Sequence, residues 1–592
     1  MEWARKPSEK LLKVALGRMK ADLVIRDVTV VNVDTGELMP NADVSVCQGR
    51  VADVGHPPVI GDGTLVLDGR GEYAIPGLLD GHVHVESSML SLTNFGIAAL
   101  QRGTTGIFID PHEIANVLGR KGVELMMRES TRLPVKVFFL VPSCVPAVPG
   151  METSGASISL RDVVSLLRKG PVVGLAEVMN YPAVVSGDGK TLSEIEAALR
   201  LGKVVDGHYT GRGGRELAAY VSSGASSCHE SVSREGALEK ARYGMYLMIR
   251  EGSAWRDLGE VIKIVTKDGI SSCKVLLVSD DRDATSLVDE GHMDFVVRRA
   301  VESGVHPVQA IQMATINTAR RFGVEGAVGS ISPGKSADIV LVEDLRSLCI
   351  RSVISNGKLL VRDGRFLGRR HVFSYPSYCL RTVRFRRHLD ERALLAKSPK
   401  ADGKVRAHVI LVRDGSSMTK HLRRRVGVVG GFIRPDLDED ILRVAVVERH
   451  GKSGNVGKGL VKGFGLRRGA AATSVGHDSH NLTVIGVNGP DMLAAINAVR
   501  EMGGGIAVAD GERVVAGVAL PLAGLMSLKP LNALYSEIEG VKAAIRELGC
   551  NLKSPFMTLS LLSLAVIPEL RITDKGLVDS VNFTFIPLVE SE

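Results

Sequence analysis

Two histidines one residue apart, His82 and His84, close an apolar run in the stretch GLLDGHVHVESS. In an extended strand the side chains at i and i+2 share a face, so these imidazoles aim at one point. A metal ion suits that convergence, although a lone strand-end histidine is more often an ordinary hydrogen-bonded residue. Four further groups stand in comparable places: Glu177 in GLAEVMN, His208 in VVDGHYTG, His229 in SSCHES and Asp280 in VLLVSDD. Together these imidazoles and carboxylates suit borderline divalent cations such as Zn, Mn or Fe(II), and fit neither a thiolate site nor an all-oxygen calcium site. They exceed what one catalytic ion takes, which is about three protein ligands and a water. Two ions with a bridging carboxylate are therefore expected, with Glu177 as the bridge.

Such scattered residues meet only if the elements carrying them converge. From about residue 74 the chain alternates short strand-like runs (GTTGIFID, VKVFFLVPS, PVVGLAEVMN, CKVLLVSDD) with helix-like segments such as TLSEIEAALRLG and SREGALEKARYG. Repeated β then α over roughly 250 residues predicts parallel strands with crossover helices, a length that suits a (β/α)8 barrel. In that fold the C-terminal ends of all strands ring one mouth, where active sites sit. All the groups named above would then face one spot.

On both sides of this region the texture is β-rich. Residues 1–73 read as an N-terminal helix with an apolar face (Leu11, Leu12, Val14, Ala15, Met19) and then short strands. After residue 329 similar runs return, as though the chain comes back to complete the same sheet, and an irregular linker follows from about 367 to 403. The block 404–592 reads as an independent α/β domain. The predicted divisions are thus 1–73, 74–328, 329–403 and 404–592.

Composition narrows the function classes. The chain has 592 residues, too many for one ordinary domain, with globular hydrophobic and charged fractions of 45% and 24%. A net charge of +8 arises from 74 basic against 66 acidic residues, and only 4% of residues are aromatic. The basic stretches RTVRFRRHLDER and HLRRRV lack the interleaved aromatics of a single-strand stacking platform, so no nucleic-acid partner is expected. No apolar stretch approaches the roughly 18–20 residues of a membrane span, and the charged start is no secretory signal, so a cytoplasmic location and no membrane partner are expected. The 7 cysteines are scattered without a CxxC pair, which excludes a disulfide framework and a thiolate zinc site. Cys228, beside His229, is read as packing.

Neither a zinc-protease helix nor a phosphate loop is present. HEIAN and HESVS begin like a zinc-protease helix, but their fifth positions are Asn116 and Ser233. KSGNVGKG has neither the first glycine nor the final hydroxyl of a phosphate loop, and its glycines are expected in tight turns. HDSHN (His477, Asp478, His480) is read first as a structural polar network, with access to an active-site mouth as the alternative.

The order HxH, a strand-four acid, His, His and Asp resembles the amidohydrolase superfamily. IPGLLDGHVHVESSML, DPHEIANVLG, GLAEVMN, DGHYTG, SCHE, MYLMIREGSA, VSDDR, GHMDFVVRRAV and MATINTA, together with GNVGKGLVKGFGL, TSVGHDSHNLTVIGVN and GGGIAV, are similar to the adenine deaminase family over essentially the whole chain. The resemblance implies a metal-dependent (β/α)8 barrel flanked by a small β-sandwich built from both sides of the barrel, plus a C-terminal α/β domain. It implies hydrolytic deamination of adenine, in purine salvage, by hydroxide bridging two divalent ions, Mn or Fe(II) before Zn. His82, His84, Glu177, His208, His229 and Asp280 would be the ligands. Asp280 would be general base and then acid, Glu113 a proton donor or relay at a ring nitrogen, and His112 and Asp281 substrate-side groups. A homo-oligomer is favoured. Many amidohydrolases bridge their metals with a carbamylated lysine on strand four; Glu177 in that place argues against the alternative, a cyclic amide hydrolase like hydantoinase or dihydroorotase.

Overall fold

The computed structural model describes residues 7–253, 255–416 and 418–590. The first six residues of the N-terminal segment, and Ala254 of MYLMIREGSA, lie outside them. The N-terminal helix runs over Glu9–Ala15, capped by Ser8; Leu11 and Val14 of its expected apolar face are buried, whereas Leu12 is exposed.

Eight parallel strands carry the site residues: β1 (Leu78–Val83), β2 (Thr104–Ile109), β3 (Lys136–Val141), β4 (Val172–Val178), β5 (Val204–Gly207), β6 (Ser227–Cys228), β7 (Tyr246–Arg250) and β8 (Val275–Val278). The first five form one parallel sheet in chain order, and the last three form a second. Every residue of β1, β2 and β3 is buried. Strands covered on both faces read as continuous apolar runs rather than alternating ones, which is why the hydrophobic stretches were visible in the sequence. Leu79, Phe108, Phe138, Leu140, Ala176, Met248, Leu276 and Val278 pack together on the concave side, and the Phe108 and Phe138 rings stack 4.5 Å apart.

Hydrogen bonds cross both gaps between the two sheets. Ser226 N–H donates to Val205 O (3.2 Å) beside β5 and β6. Asp280 N–H donates to His82 O (3.0 Å), and His84 N–H donates to Asp280 O (3.3 Å), beside β8 and β1. The second crossing ties together the backbone at three of the expected ligands.

The β-rich flanks form one nine-stranded sheet. Its junction is the antiparallel pairing of Tyr73–Pro76 with Ile339–Val342, so the returning chain completes the sheet begun before β1. The C-terminal block holds another nine-stranded sheet, with helices Gly489–Glu501 and Leu531–Glu547 packed on it, and a three-stranded sheet, Leu570–Thr573, Gly576–Asp579 and Thr584–Ile586. The block does not stand apart from the rest. Val83, Val85 and Ile114 share a continuous apolar cluster with Val475, Phe556, Leu559 and Leu562. Asp574 accepts from both the N–H (2.9 Å) and the Oγ1 (2.7 Å) of Thr153. KSGNVGKG needs one correction: Gly454 takes a positive φ (69°) just ahead of the strand, but Gly457 and Gly459 lie within the strand Val456–Lys462. A Cβ on Gly457 would sit 1.8 Å from Thr573 O, so glycine serves a close crossing of two strands there.

All seven cysteines are free. Cys228 is fully buried, and its Sγ accepts the Tyr209 N–H at 3.3 Å. Among the described residues, no helix is long and apolar enough to cross a membrane.

Candidate metal centre and catalytic pocket

Each sequence-predicted ligand sits at or just beyond the C-terminal end of its strand: His82 in β1 and His84 after it, Glu177 near the end of β4, His208 after β5, His229 after β6, and Asp280 two residues beyond β8. All are buried except His208, which is slightly open. Their donor atoms fall into overlapping groups, each within 4.8 Å: His82, His84 and Asp280; Glu177, His208 and His229; and a third joining His84 to Glu177.

Glu177 links the groups through its two oxygens. Oε1 lies 3.4 Å from His84 Nε2, while Oε2 lies 3.1 Å from His229 Nε2 and contacts His208 Nδ1. Asp280 Oδ1 lies 3.3 Å from His84 Nε2 and 3.7 Å from His82 Nε2. His82 and His229 stack with centroids 4.1 Å apart. Burial pushes the Glu177 carboxyl up, but His208 and His229 outweigh it and hold the group well below the usual carboxylate range. Asp280 is likewise held well below against burial, by His84, Arg250 and His229.

Two observations fit this set to divalent cations. Buried imidazoles and carboxylates crowd together with no apolar filler between them, a costly arrangement unless something compensates it. In addition, His82 Nε2 is buried without a hydrogen-bond partner, while its other nitrogen, Nδ1, is engaged by Asp206 Oδ2 at 3.2 Å. A carboxylate behind an imidazole fixes the tautomer and leaves the far nitrogen free to ligate.

The sequence reading missed Asp206, which lies two residues before His208 in DGH. It also missed Arg250 at the end of β7, whose Nη1 donates to Asp280 Oδ2 at 3.0 Å. Only strand-end acids and histidines had been sought, and arginine is no metal ligand. Arg250 also engages Glu230 and Asp257, so it fixes one oxygen of Asp280 and leaves the other facing the histidines.

The expected substrate-side residues meet at the same place. His112 and Glu113 open the helix His112–Leu118 that follows β2. His112 Nδ1 lies 3.1 Å from Asp110 Oδ2 and 3.6 Å from Glu177 Oε1. Asp281 accepts from Ser87 Oγ and from Trp255 Nε1 (3.3 Å) and lines the pocket. A cavity of about 80 Å³ is bounded by His112, Glu113, Asp281, Asp478 and the candidate ligands other than His82. It adjoins a cleft of about 1020 Å³ that shares Glu230, Arg250, Trp255 and Leu561 as walls. HDSHN, read first as a structural network, is at the site: His477 and Asp478 line the cavity, and His477 and His480 both contact Glu113.

Residues 73–360 match the amidohydrolase family, and residues 416–584 match the adenine deaminase C-terminal domain. The chain is 44% identical over 585 residues to an adenine deaminase of Moorella thermoacetica, covering 98% of each. It is 42% identical over 590 residues to an adenine deaminase of Clostridium botulinum, covering 99% of this chain and 98% of that one. Among solved structures, a beta-aspartyl dipeptidase from Fervidobacterium islandicum is similar over 58% of this chain and 97% of that chain, with 19% identity and a TM-score of 0.45.

Proposed function

The chain belongs to the adenine deaminase family of amidohydrolases and hydrolyses adenine to hypoxanthine and ammonia; from that premise we propose how its residues divide the work. His82, His84, Glu177, His208, His229 and Asp280 would hold two divalent cations, with Glu177 reaching toward both groups of histidines. The observation that carries this reading is the pair of Glu177 oxygens, one turned to His84 and the other to His208 and His229. Bound cations supply a Lewis acid that lowers the pKa of water toward about 7. Mn or Fe(II) is the expected pair, with Zn as the alternative, since the nitrogen and oxygen donors accept all three.

The protein's own groups move the protons. Asp280, oriented by Arg250, takes a proton from the attacking water and passes it to the departing amine, as base and then acid. Glu113 serves a ring nitrogen, while His112 and Asp281 orient the purine in the small cavity. The eight strands close into a (β/α)8 barrel, supported by the hydrogen bonds across both sheet gaps. The nine-stranded flanking sheet is the β-sandwich, and the domains divide at 1–73, 74–328, 329–403 and 404–592. A cytoplasmic purine-salvage setting and a homo-oligomer belong to the same proposal.

The cyclic amide hydrolase alternative is not favoured, because relatives matched over nearly the full length are named adenine deaminase. Stripping the purified chain with a chelator should abolish ammonia release from adenine, and reloading with Mn or Fe(II) should restore it together with hypoxanthine. A stripped chain as active as the reloaded one would contradict the metal reading. A reloaded chain that leaves adenine untouched would contradict the activity.

A further inference from the structure

We infer that the HDSHN turn of the C-terminal block is part of the catalytic apparatus: His477 and His480 are positioning residues that hold the Glu113 carboxylate against the purine ring, and His477 supplies the proton that Glu113 passes to that ring. This inference rests on the reading of Glu113 as the group that serves a ring nitrogen.

The geometry is specific. Glu113, His477 and His480 are all buried. His477 Nε2 lies 3.0 Å from Glu113 Oε1, and His480 Nε2 contacts Glu113 Oε2, so each oxygen faces its own imidazole. Gly476 N–H points at His480 Nδ1 (3.4 Å), which makes that nitrogen an acceptor and puts the ring proton on Nε2, the atom in contact with Glu113; neither His477 Nε2 nor His480 Nε2 has another hydrogen-bond partner. A proton there also argues against His480 as a further metal ligand. His477 Nδ1 lies 2.6 Å from Ser560 Oγ, leaving Nε2 to face Glu113.

The turn is also held by bonds that do not involve these imidazoles. Arg449 Nε donates to His480 O, and Arg449 Nη2 donates to Ala523 O (3.0 Å). Asn481 Nδ2 donates to Thr153 O at 2.9 Å, on the other side of the interface, and His450 Nε2 lies 2.8 Å from Ser479 O. Fixed by those bonds, the turn presents both Nε2 atoms to one carboxylate whose cavity also holds Asp280 and His112. The electrostatics agree. Glu113 is held well below the carboxylate range by the two histidines despite its burial. Burial pulls His477 down, but Glu113 outweighs it and raises the group to about 9, while burial takes His480 down to about 4. The resting arrangement is an ionised Glu113 between a charged His477 and a neutral His480.

The protons balance. Converting adenine and water to hypoxanthine and ammonia places one proton on the ring and one on the amine, both from water. Asp280 carries the amine's proton. The ring's proton comes through Glu113, which takes it from His477 Nε2, passes it to the ring and ends ionised again; His477 is left neutral, and solvent returns to it the proton lost when water ionises.

The test compares kcat, KM and pH–kcat profiles for Glu113→Gln, His477→Ala, His477→Gln, His480→Ala and His480→Gln, with bound metal and thermal midpoint measured beside them. Glu113→Gln should lose kcat by about 10²-fold or more. Both alanine variants should lose about 10- to 100-fold in kcat with metal content unchanged. Glutamine keeps an N–H donor near the Nε2 position but cannot carry a proton. His480→Gln should therefore recover to within about threefold of wild type, whereas His477→Gln should stay slow and lose the alkaline limb of the profile. If Glu113→Gln is impaired while both histidine positions keep wild-type kcat and pH profile, the inference falls and the reading of Glu113 survives. An unimpaired Glu113→Gln overturns both. If the alanine variants fail to fold, the glutamine pair decides: a His477→Gln enzyme with the wild-type profile overturns the proton supply, and a His480→Gln enzyme as slow as His477→Gln overturns the division of roles.

Discussion

Asp206 shows how a residue that need not touch metal or substrate can set the chemistry. It is fully buried, accepts from Ser227 Oγ, and engages His82 Nδ1, so the proton on that ring stays away from the pocket. Asp206→Ala is expected to weaken metal affinity about 10- to 100-fold while the chain stays folded. Titrating the stripped variant with Mn checks this, and wild-type affinity would remove Asp206 from the site. The convergence of the strand-end histidines and acids was legible in the sequence because each is a titratable residue closing an apolar run, a pattern visible without knowing any partner. Asp206 was not, because its significance lies in pairing with His82, 124 positions away. The place of His477 and His480 beside Glu113 was hidden for the same reason. Their partner Glu113 sits in another part of the chain, and no periodicity links them.

At the scale of elements, the parallel strands were readable from their buried apolar runs, and the returning flank from its renewed β texture. The strand crossing at Gly457 was not, since a glycine that admits another backbone looks in sequence like one that makes a turn. The helix Gly189–Arg200 carries a testable liability. Glu194 is 1% exposed, its Oε1 has no hydrogen-bond partner, and Lys190 Nζ stays 3.5 Å away. Burial pushes its carboxyl up to about 7. Below the unfolded value of about 4.5 the group is protonated in both states and costs nothing. As pH rises from there to about 7, the unfolded chain ionises more readily than the folded one, so stability is lost across that window. Glu194→Gln should therefore raise stability by about 1–3 kcal/mol at pH 8 and leave it nearly unchanged at pH 4. Thermal midpoints at the two pH values decide, and an equal effect at both would refute this account of Glu194.

For the whole molecule, the sequence suggested an independent C-terminal block, whereas the folded chain shares one apolar cluster and one pocket between the block and the eight-stranded region. An interface between distant segments leaves no local pattern, so it could not be read residue by residue. Asp574 is a polar anchor of this union, accepting from Thr153 N and Oγ1 and from Asn455 Nδ2 (3.2 Å). Asp574→Ala strands those donors and should cost about 2–3 kcal/mol. A lower denaturant midpoint would register the loss, and an unchanged midpoint would show that the anchor contributes nothing. The central claim is that Glu177 joins two cations into one reaction centre. Its most direct test is metal content and ammonia release from adenine for wild type and Glu177→Gln, both stripped and reloaded with Mn. About two Mn per wild-type chain with activity are expected, and fewer Mn with activity lost in the variant. A variant that keeps full metal content and wild-type ammonia release would contradict it.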